Sequence, residues 1–154
     1  GLEQDGKLTA IITQNIDCLH EMAGSKNVLK LHGTVDSNTC VICSKKYNLE
    51  EFLEICDTEN IPHCSKCGGI IKPDVTLYEE VPDPDTFRKA INEISKADTL
   101  IIGGTSLIVY PAASLIHYFQ GKNLVLINKS KTEQDNFANL VIHESIGEVF
   151  KKLK

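Results

Sequence analysis

No run of apolar residues in this sequence is long enough to cross a bilayer. Apolar runs such as Leu100-Ile101-Ile102 fall far short of the roughly 20 residues that a spanning helix needs. The opening residues carry no signal-peptide pattern, so no membrane partner is expected. Positive charge is scarce as well: 16 Lys and Arg stand against 21 Asp and Glu, a formal net charge of -5. The basic residues form no stripe. The nearest approach, Lys151-Lys152-Leu153-Lys154, reads as a solvated helix end. With aromatics at 6%, neither the positive footprint nor the stacking surface of a nucleic-acid binder is present, so no direct nucleic-acid partner is expected. No Gly-x-Gly-x-x-Gly fingerprint and no P-loop occurs. A disulfide framework is also missing. Four of the six cysteines sit in metal spacing, and Cys18 and Cys56 are left over. Reduced thiols point to the cytoplasm, with the nucleus also compatible.

What the sequence does hold is an alternation of short buried strands and helices. Lys7 to Thr13 (KLTAIIT) reads as a strand, followed by a short helical stretch that stops at Gly24. NVLKLHG is a second strand, breaking at Gly33. Asn48 with Glu51 three residues on forms a capping box for a helix over LEEFLEIC. Asp83 caps, and Pro84 opens, a helix whose buried stripe is Phe87, Ala90, Ile91 and Ile94. TLIIGG reads as a fully buried strand running into a glycine turn, PAASLIHYF as a helix, and NLVLIN as another buried strand. A strand at Leu140 to Ile142 precedes a helix with Ser145 and Glu148 as its capping box and Ile146, Val149, Phe150 and Leu153 as its stripe. This order predicts an α/β fold, a parallel sheet with helices on both faces. A cysteine-rich module, residues 34–78, interrupts the rhythm as an insertion between residues 1–33 and 79–154.

Within the module, Cys40-x-x-Cys43 and Cys64-x-x-Cys67 are separated by twenty residues, 44 to 63. Two residues between thiolates let one turn of backbone deliver both sulfurs to one ion. Four such ligands close a tetrahedral shell and leave no open position for substrate, so a zinc ion here is structural. An iron site of the same ligands is the rival. His63 adjoins Cys64, but with four cysteines present it reads as an exposed loop residue. Chemistry must be sought elsewhere.

Ligands of open α/β sheets bind outside the carboxyl ends of the strands. Two polar clusters lie there: Thr13 to Asp17 (TQNID) and Gly103 to Ser106 (GGTS). Amide and carboxylate groups of the first suit a ribose or a carboxamide, although Asn15 and Asp17 would equally serve as helix caps. Glycines of the second let backbone approach a phosphate or ribose closely. His32 ends the strand VLKLHG. Three polar features at strand ends favour a nucleotide-binding enzyme over a binding module.

Taken in order, TQNIDCLHEMAG, LKLHGT, the two Cys-x-x-Cys pairs, GGIIKPDV, GGTSLIVYPAA and LVLIN resemble the sirtuins, NAD-dependent protein-lysine deacylases, over essentially the whole chain. The resemblance implies a Rossmann-like domain and a smaller zinc module flanking a cleft, which NAD and an acyl-lysine protein or peptide enter from opposite sides. It implies that Gln14, Asn15, Ile16 and Asp17 form the nicotinamide and ribose pocket and that His32 is the catalytic base. Gly104, Thr105, Ser106 and Asn128 would contact the dinucleotide, and Val75 the acyl-lysine. In that family the acyl oxygen attacks C1′ of the nicotinamide ribose, nicotinamide leaves, and the histidine draws a proton from a ribose hydroxyl. The acyl group ends on ADP-ribose, a transfer that amounts to hydrolysis of the amide.

Two departures from the family pattern stand out. KPDVTLYEE replaces KPDVV-x-FGE, so Tyr78 stands for Phe and Glu79 for a glycine in the segment that pairs with substrate peptide. The chain also opens past the strand and Gly-Ala-Gly-x-Ser loop that cradle the NAD phosphates in sirtuins. It is therefore expected to be inactive alone, and to self-associate through bared strand edges. Two other readings are a non-catalytic remnant that keeps the zinc and a partner surface, and a zinc-ribbon nucleic-acid module, which the acidic balance opposes.

Overall fold

The computed structural model describes residues 1–58 and 61–152, with backbone only at 57 and 58. The chain forms two compact units, Gly1–Phe87 and Arg88–Lys154. No helix among the described residues is long and apolar enough to cross a membrane.

The first unit holds two sheets. β1 (Ile11–Thr13) and β2 (Val28–Lys30) pair in parallel, joined by the short helix α1 (Leu19–Met22), after which Gly24 turns the chain. β1 is shorter than the expected strand from Lys7. The amides of Lys7 and Leu8 both turn back onto the Leu2 carbonyl, and the ladder starts only where Ile11 donates to the Asn27 carbonyl. Parallel pairing brings the carboxyl ends of β1 and β2 to the same edge, so the residues after Thr13 lie beside those after Lys30.

The second sheet is antiparallel, in the order β4-β3-β5, with β3 at Gly33–Cys40, β4 at Lys46–Asn48 and β5 at Ile71–Val75. Gly33 does not end a strand as expected; it begins β3. It pairs with Val75 at φ +79, and a β-carbon there would lie 2.0 Å from the Asp74 carbonyl oxygen. Close approach of two backbones is the reason for glycine at this position. Helix α2 (Leu49–Thr58) follows β4. Its capping box forms as expected: the Glu51 amide donates to Asn48 Oδ1 at 2.8 Å, and the Asn48 amide to Glu51 Oε2 at 2.9 Å. Tyr47, Ile71, Cys40 and Cys64 make the buried centre, with Phe52 and Ile55 packed on it.

Helix α3 (Pro84–Lys96) links the two units. Asp83 Oδ2 caps it by accepting from the Thr86 amide at 2.9 Å. Of the expected stripe, Ala90 and Ile94 are buried and Phe87 and Ile91 half-buried.

The second unit is a three-stranded parallel sheet in the order β6-β7-β8, with β6 at Thr99–Gly103, β7 at Asn123–Ile127 and β8 at Leu140–Ile142. β7 lies between two partners and buries Leu124, Leu126 and Ile127. Among the described residues β6 pairs with β7 alone, so it is not fully buried as expected, and Ile101 remains 41% exposed. PAASLIHYF winds as a 3₁₀ helix at Ala112–Tyr118. Ser145 caps helix α4 (Ile146–Lys151) by position, but the expected box does not close. Glu148 instead accepts from Lys151 at 2.7 Å, because an ammonium offers it a stronger partner than an amide. Of its stripe, Val149 is buried, Phe150 half-buried and Ile146 exposed; Leu153 lies outside the described residues. Carboxyl ends of β6, β7 and β8 again share one edge.

Gly33→Ala is expected to destabilise the first unit by on the order of 3 kcal/mol, since left-handed backbone and a collision with backbone act together. Gly24→Ala, with open space around it, should lose only about 1 kcal/mol. Equal urea midpoints for the two variants would contradict this account of the β3–β5 contact.

Candidate functional site

The four-cysteine cluster is built from two matching turns. Cys40 opens one and Cys64 the other. The Ser44 amide donates back to the Cys40 carbonyl, and the Gly68 amide to the Cys64 carbonyl, at 3.0 and 2.8 Å. Each turn closes at a residue of positive φ, Ser44 at 57° and Gly68 at 72°. The amides of Cys40 and Cys64 donate in turn to Lys45 and Gly69. All four sulfurs lie within 4.8 Å of one another, with Cys40 and Cys67 3.5 Å apart and Cys43 and Cys64 3.6 Å apart. A tetrahedral zinc held at about 2.3 Å by thiolates sets its sulfurs about 3.8 Å apart, so the cluster fits the ion. His63 is exposed and stands outside the cluster.

The surroundings tune the donors. The buried Tyr47 hydroxyl donates to Cys64 Sγ at 3.1 Å and pulls that thiol down to about 6, with the Lys66 and Cys67 amides adding to the effect. Cys40 is held below the ordinary thiol value first by the Cys43 amide. The Gly69 amide lowers Cys67, but Cys43, burial, Cys40 and Cys64 together push it up to about 12. Four crowded sulfurs cannot all lose their protons without a cation among them, as a closed thiolate site demands. Tyr47 escapes motif reasoning; its only signal in the sequence is an aromatic four residues beyond Cys43.

Elsewhere in the first unit, the expected site residues gather at the shared edge of β1 and β2. The Leu31 amide donates to the Thr13 carbonyl at 2.9 Å. His32 Nδ1 lies 3.0 Å from the Gln14 carbonyl oxygen. A carbonyl can only accept, so in the neutral ring Nδ1 carries the proton and Nε2 keeps its lone pair. The Thr76 amide donates to the His32 carbonyl at 2.9 Å, which sets Val75 beside the histidine backbone. Gln14, His32 and Val75 are thus held together. Asn15 and Ile16 are exposed at the edge; Asp17 Oδ1 accepts from the Leu19 amide at 3.0 Å, a turn bond one residue ahead of the N-cap position, which Cys18 occupies without a side-chain cap.

In the second unit a cavity of about 270 Å³ opens at the carboxyl edge of the sheet. Gly104 lines it from the turn after β6, Ile127 to Ser130 from the end of β7, and Glu144 to Ile146 from beyond β8. Gly104 and Asn128 therefore line one cavity. Thr105 Oγ1 instead accepts from the Leu107 amide at 3.2 Å, and Ser106 is exposed; neither lines the cavity. Asn128 is fixed by its side-chain Nδ2 donating to the Ser130 carbonyl and by His143 Nδ1 at its own carbonyl, both 3.0 Å. His143 Nε2 reaches Asp135 at 3.3 Å. Asp135 lies below the usual carboxylate range, first through the Thr132 hydroxyl, with His143 adding to the effect. Lys129, Ser130, Glu144 and Ser145 were not foreseen. The rule that ligands sit beyond strand carboxyl ends, applied to β8, would have found Glu144 and Ser145.

The Sir2 family model matches residues 1–111. An NAD-dependent protein deacetylase of Clostridium perfringens is 63% identical over 99% of this chain and 62% of its own length. One from Staphylococcus aureus is 45% identical over 99% of this chain and 61% of its own length. Among solved structures, a complex of Sir2, a p53 peptide and NAD+ superposes with a TM-score of 0.93 at 39% identity, covering 99% of this chain and 64% of that one. Sir2 bound to acetylated peptide gives 0.93 at 38%, covering 99% and 65%. The chain thus spans less than two thirds of the length of the relatives it matches.

Metal analysis of the purified protein should find one zinc per chain on Cys40, Cys43, Cys64 and Cys67. Zinc binding in small modules is worth about 10–16 kcal/mol of folding free energy, so a chelator should unfold β3 to β5 and α2. A protein without zinc, or one with the red colour of an iron–thiolate site, would contradict the assignment.

Proposed function

The chain belongs to the Sir2 family, and from that premise we propose that the protein is an NAD-dependent protein-lysine deacylase acting on acyl-lysine proteins or peptides. The observation that carries this reading is the bond between His32 Nδ1 and the Gln14 carbonyl. It leaves Nε2 of the neutral ring as a base, beside the polar turn Gln14 to Asp17. NAD, when bound, supplies the ribose carbon that releases nicotinamide and the hydroxyl that receives the acyl group. His32 takes the hydroxyl proton at Nε2. Gln14, Asn15, Ile16 and Asp17 hold the nicotinamide end, with Asp17 on the carboxamide. Gly104, Thr105, Ser106 and Asn128 hold the remainder of the dinucleotide, and the cavity beside Gly104 and Asn128 suits a ribose. Val75 lies along the acyl-lysine. The zinc is structural, in a module of residues 34–78 set between residues 1–33 and 79–154 of a Rossmann-like domain. Deacetylases at up to 63% identity and a related structure with acetylated peptide support the substrate class. Cys18 and Cys56, outside the metal cluster and unbridged, fit a reducing compartment, the cytoplasm or the nucleus.

Two variants of the full-length gene product separate the steps. His32→Ala should lower deacylation of an acetyl-lysine peptide by ~10³–10⁴-fold, the upper part of the range for a general base, while nicotinamide exchange suffers less. Asp17→Asn should impair nicotinamide exchange itself. Both measured side by side give the test: deacylation by His32→Ala at the wild-type rate would remove the base and the reading with it.

A further inference from the structure

Beyond β5 the chain runs through Thr76 to Val81 without regular secondary structure, and its apolar side chains face outward. Leu77 is 55% exposed, Tyr78 98% and Val81 85%. Such a segment would be expected to sample many shapes, yet its backbone is specified in detail. Lys72 Nζ donates to the Val75 carbonyl at 2.9 Å and to Glu80 Oε2 at 3.1 Å. That same carboxylate oxygen accepts from the Leu77 amide at 2.9 Å, and the Glu80 amide donates to the Leu77 carbonyl at 3.1 Å. One ammonium and one carboxylate thus close a loop from residue 72 to residue 80. Inside it, Glu79 sits at φ +70, a left-handed conformation that residues with a β-carbon adopt only when neighbouring contacts hold it. From the other side the segment is tied to the backbone at His32 and Gly33 by the Thr76 amide at the His32 carbonyl and by the Gly33–Val75 pair.

We propose that Lys72 and Glu80 are positioning residues: their clamp holds Val75 to Glu80 in one shape against the backbone of His32, ready for an acyl-lysine peptide. The proposal rests on the deacylase reading above. Contributions to stability do not account for the clamp. The two side chains are 35% and 43% exposed, and ion pairs at that exposure add little to folding. Their effect is to order a segment in advance, so that a ligand lying along it meets a prepared surface rather than ordering it on arrival. The Leu77 amide first, and Lys72 second, hold the Glu80 carboxyl below its usual range, so the clamp is closed at neutral pH.

The test uses the full-length gene product with Lys72→Met, Glu80→Ala and Lys72→Arg, and an acetyl-lysine peptide as probe. Lys72→Met and Glu80→Ala should raise the peptide KM about tenfold, with kcat and the NAD KM nearly unchanged, as expected when binding alone is lost. Exchange of the Leu77 amide with solvent should quicken in both, while the thermal midpoint stays at the wild-type value. Lys72→Arg, which keeps the charge, should restore the KM. An active protein whose peptide KM is indifferent to both variants overturns the clamp and leaves the deacylase reading intact. A wild-type protein that neither binds nor deacylates the peptide overturns that reading and the positioning role with it.

Discussion

Three backbone pairs between β1 and β2, Ile11 with Val28, Ile12 with Leu29 and Thr13 with Lys30, decide where the polar residues of the first unit lie. Because the strands run parallel, both leave the ladder at the same edge. Gln14 therefore emerges beside His32, close enough for the histidine ring to bond a backbone carbonyl. A carbonyl partner is a firmer constraint than a side chain would be, since it moves only with the strand. Leu31, 3% exposed, anchors the residue before the histidine, and the Gly33–Val75 contact anchors the residue after it. The imidazole is held from both sides while its Nε2 stays available.

The cysteine cluster works by a different principle. Its sheet is short, and the buried centre consists of Tyr47, Ile71 and two of the cysteines themselves. Such a core is too small to specify a fold without a cross-link, and a metal shell supplies one. The matched turns at Cys40–Ser44 and Cys64–Gly68 bring four donors together, and Tyr47 lends Cys64 a hydrogen bond. β3 ends at Cys40 and pairs with β5, and the same two strands carry Gly33 and Val75 to the edge of His32. In this way the closed metal site, which offers no position for substrate, still shapes the neighbourhood of the histidine.

Much of this was legible in the residues, and the failures have physical causes. Asn48 with Glu51, and Asp83 before Pro84, were read correctly because a cap is a local bond between near neighbours. Ser145 with Glu148 has the same spacing, but Lys151 one turn on competes for the carboxylate. GTVDSNTC lacks the apolar alternation of a strand; β3 pairs with β4 just across the 41–45 turn and with β5, which is distant in sequence. Composition makes TLIIG a fully buried strand, but burial in a sheet depends on neighbours on both sides, and among the described residues β6 pairs with β7 alone. The site itself was legible mainly through its resemblance to sirtuins. Residue types alone left Asp17 open as a cap or a ligand contact, and the cavity residues Glu144 and Ser145 carry no motif at all.

His32 as a base requires one tautomer of the ring, and nitrogen chemical shifts of a protein labelled in histidine measure it directly. With the ring neutral, the bond to the Gln14 carbonyl predicts a protonated Nδ1 and a bare Nε2 for His32, in the free protein and without any substrate. A ring protonated at Nε2 with a bare Nδ1 would contradict the geometry from which the deacylase reading is drawn.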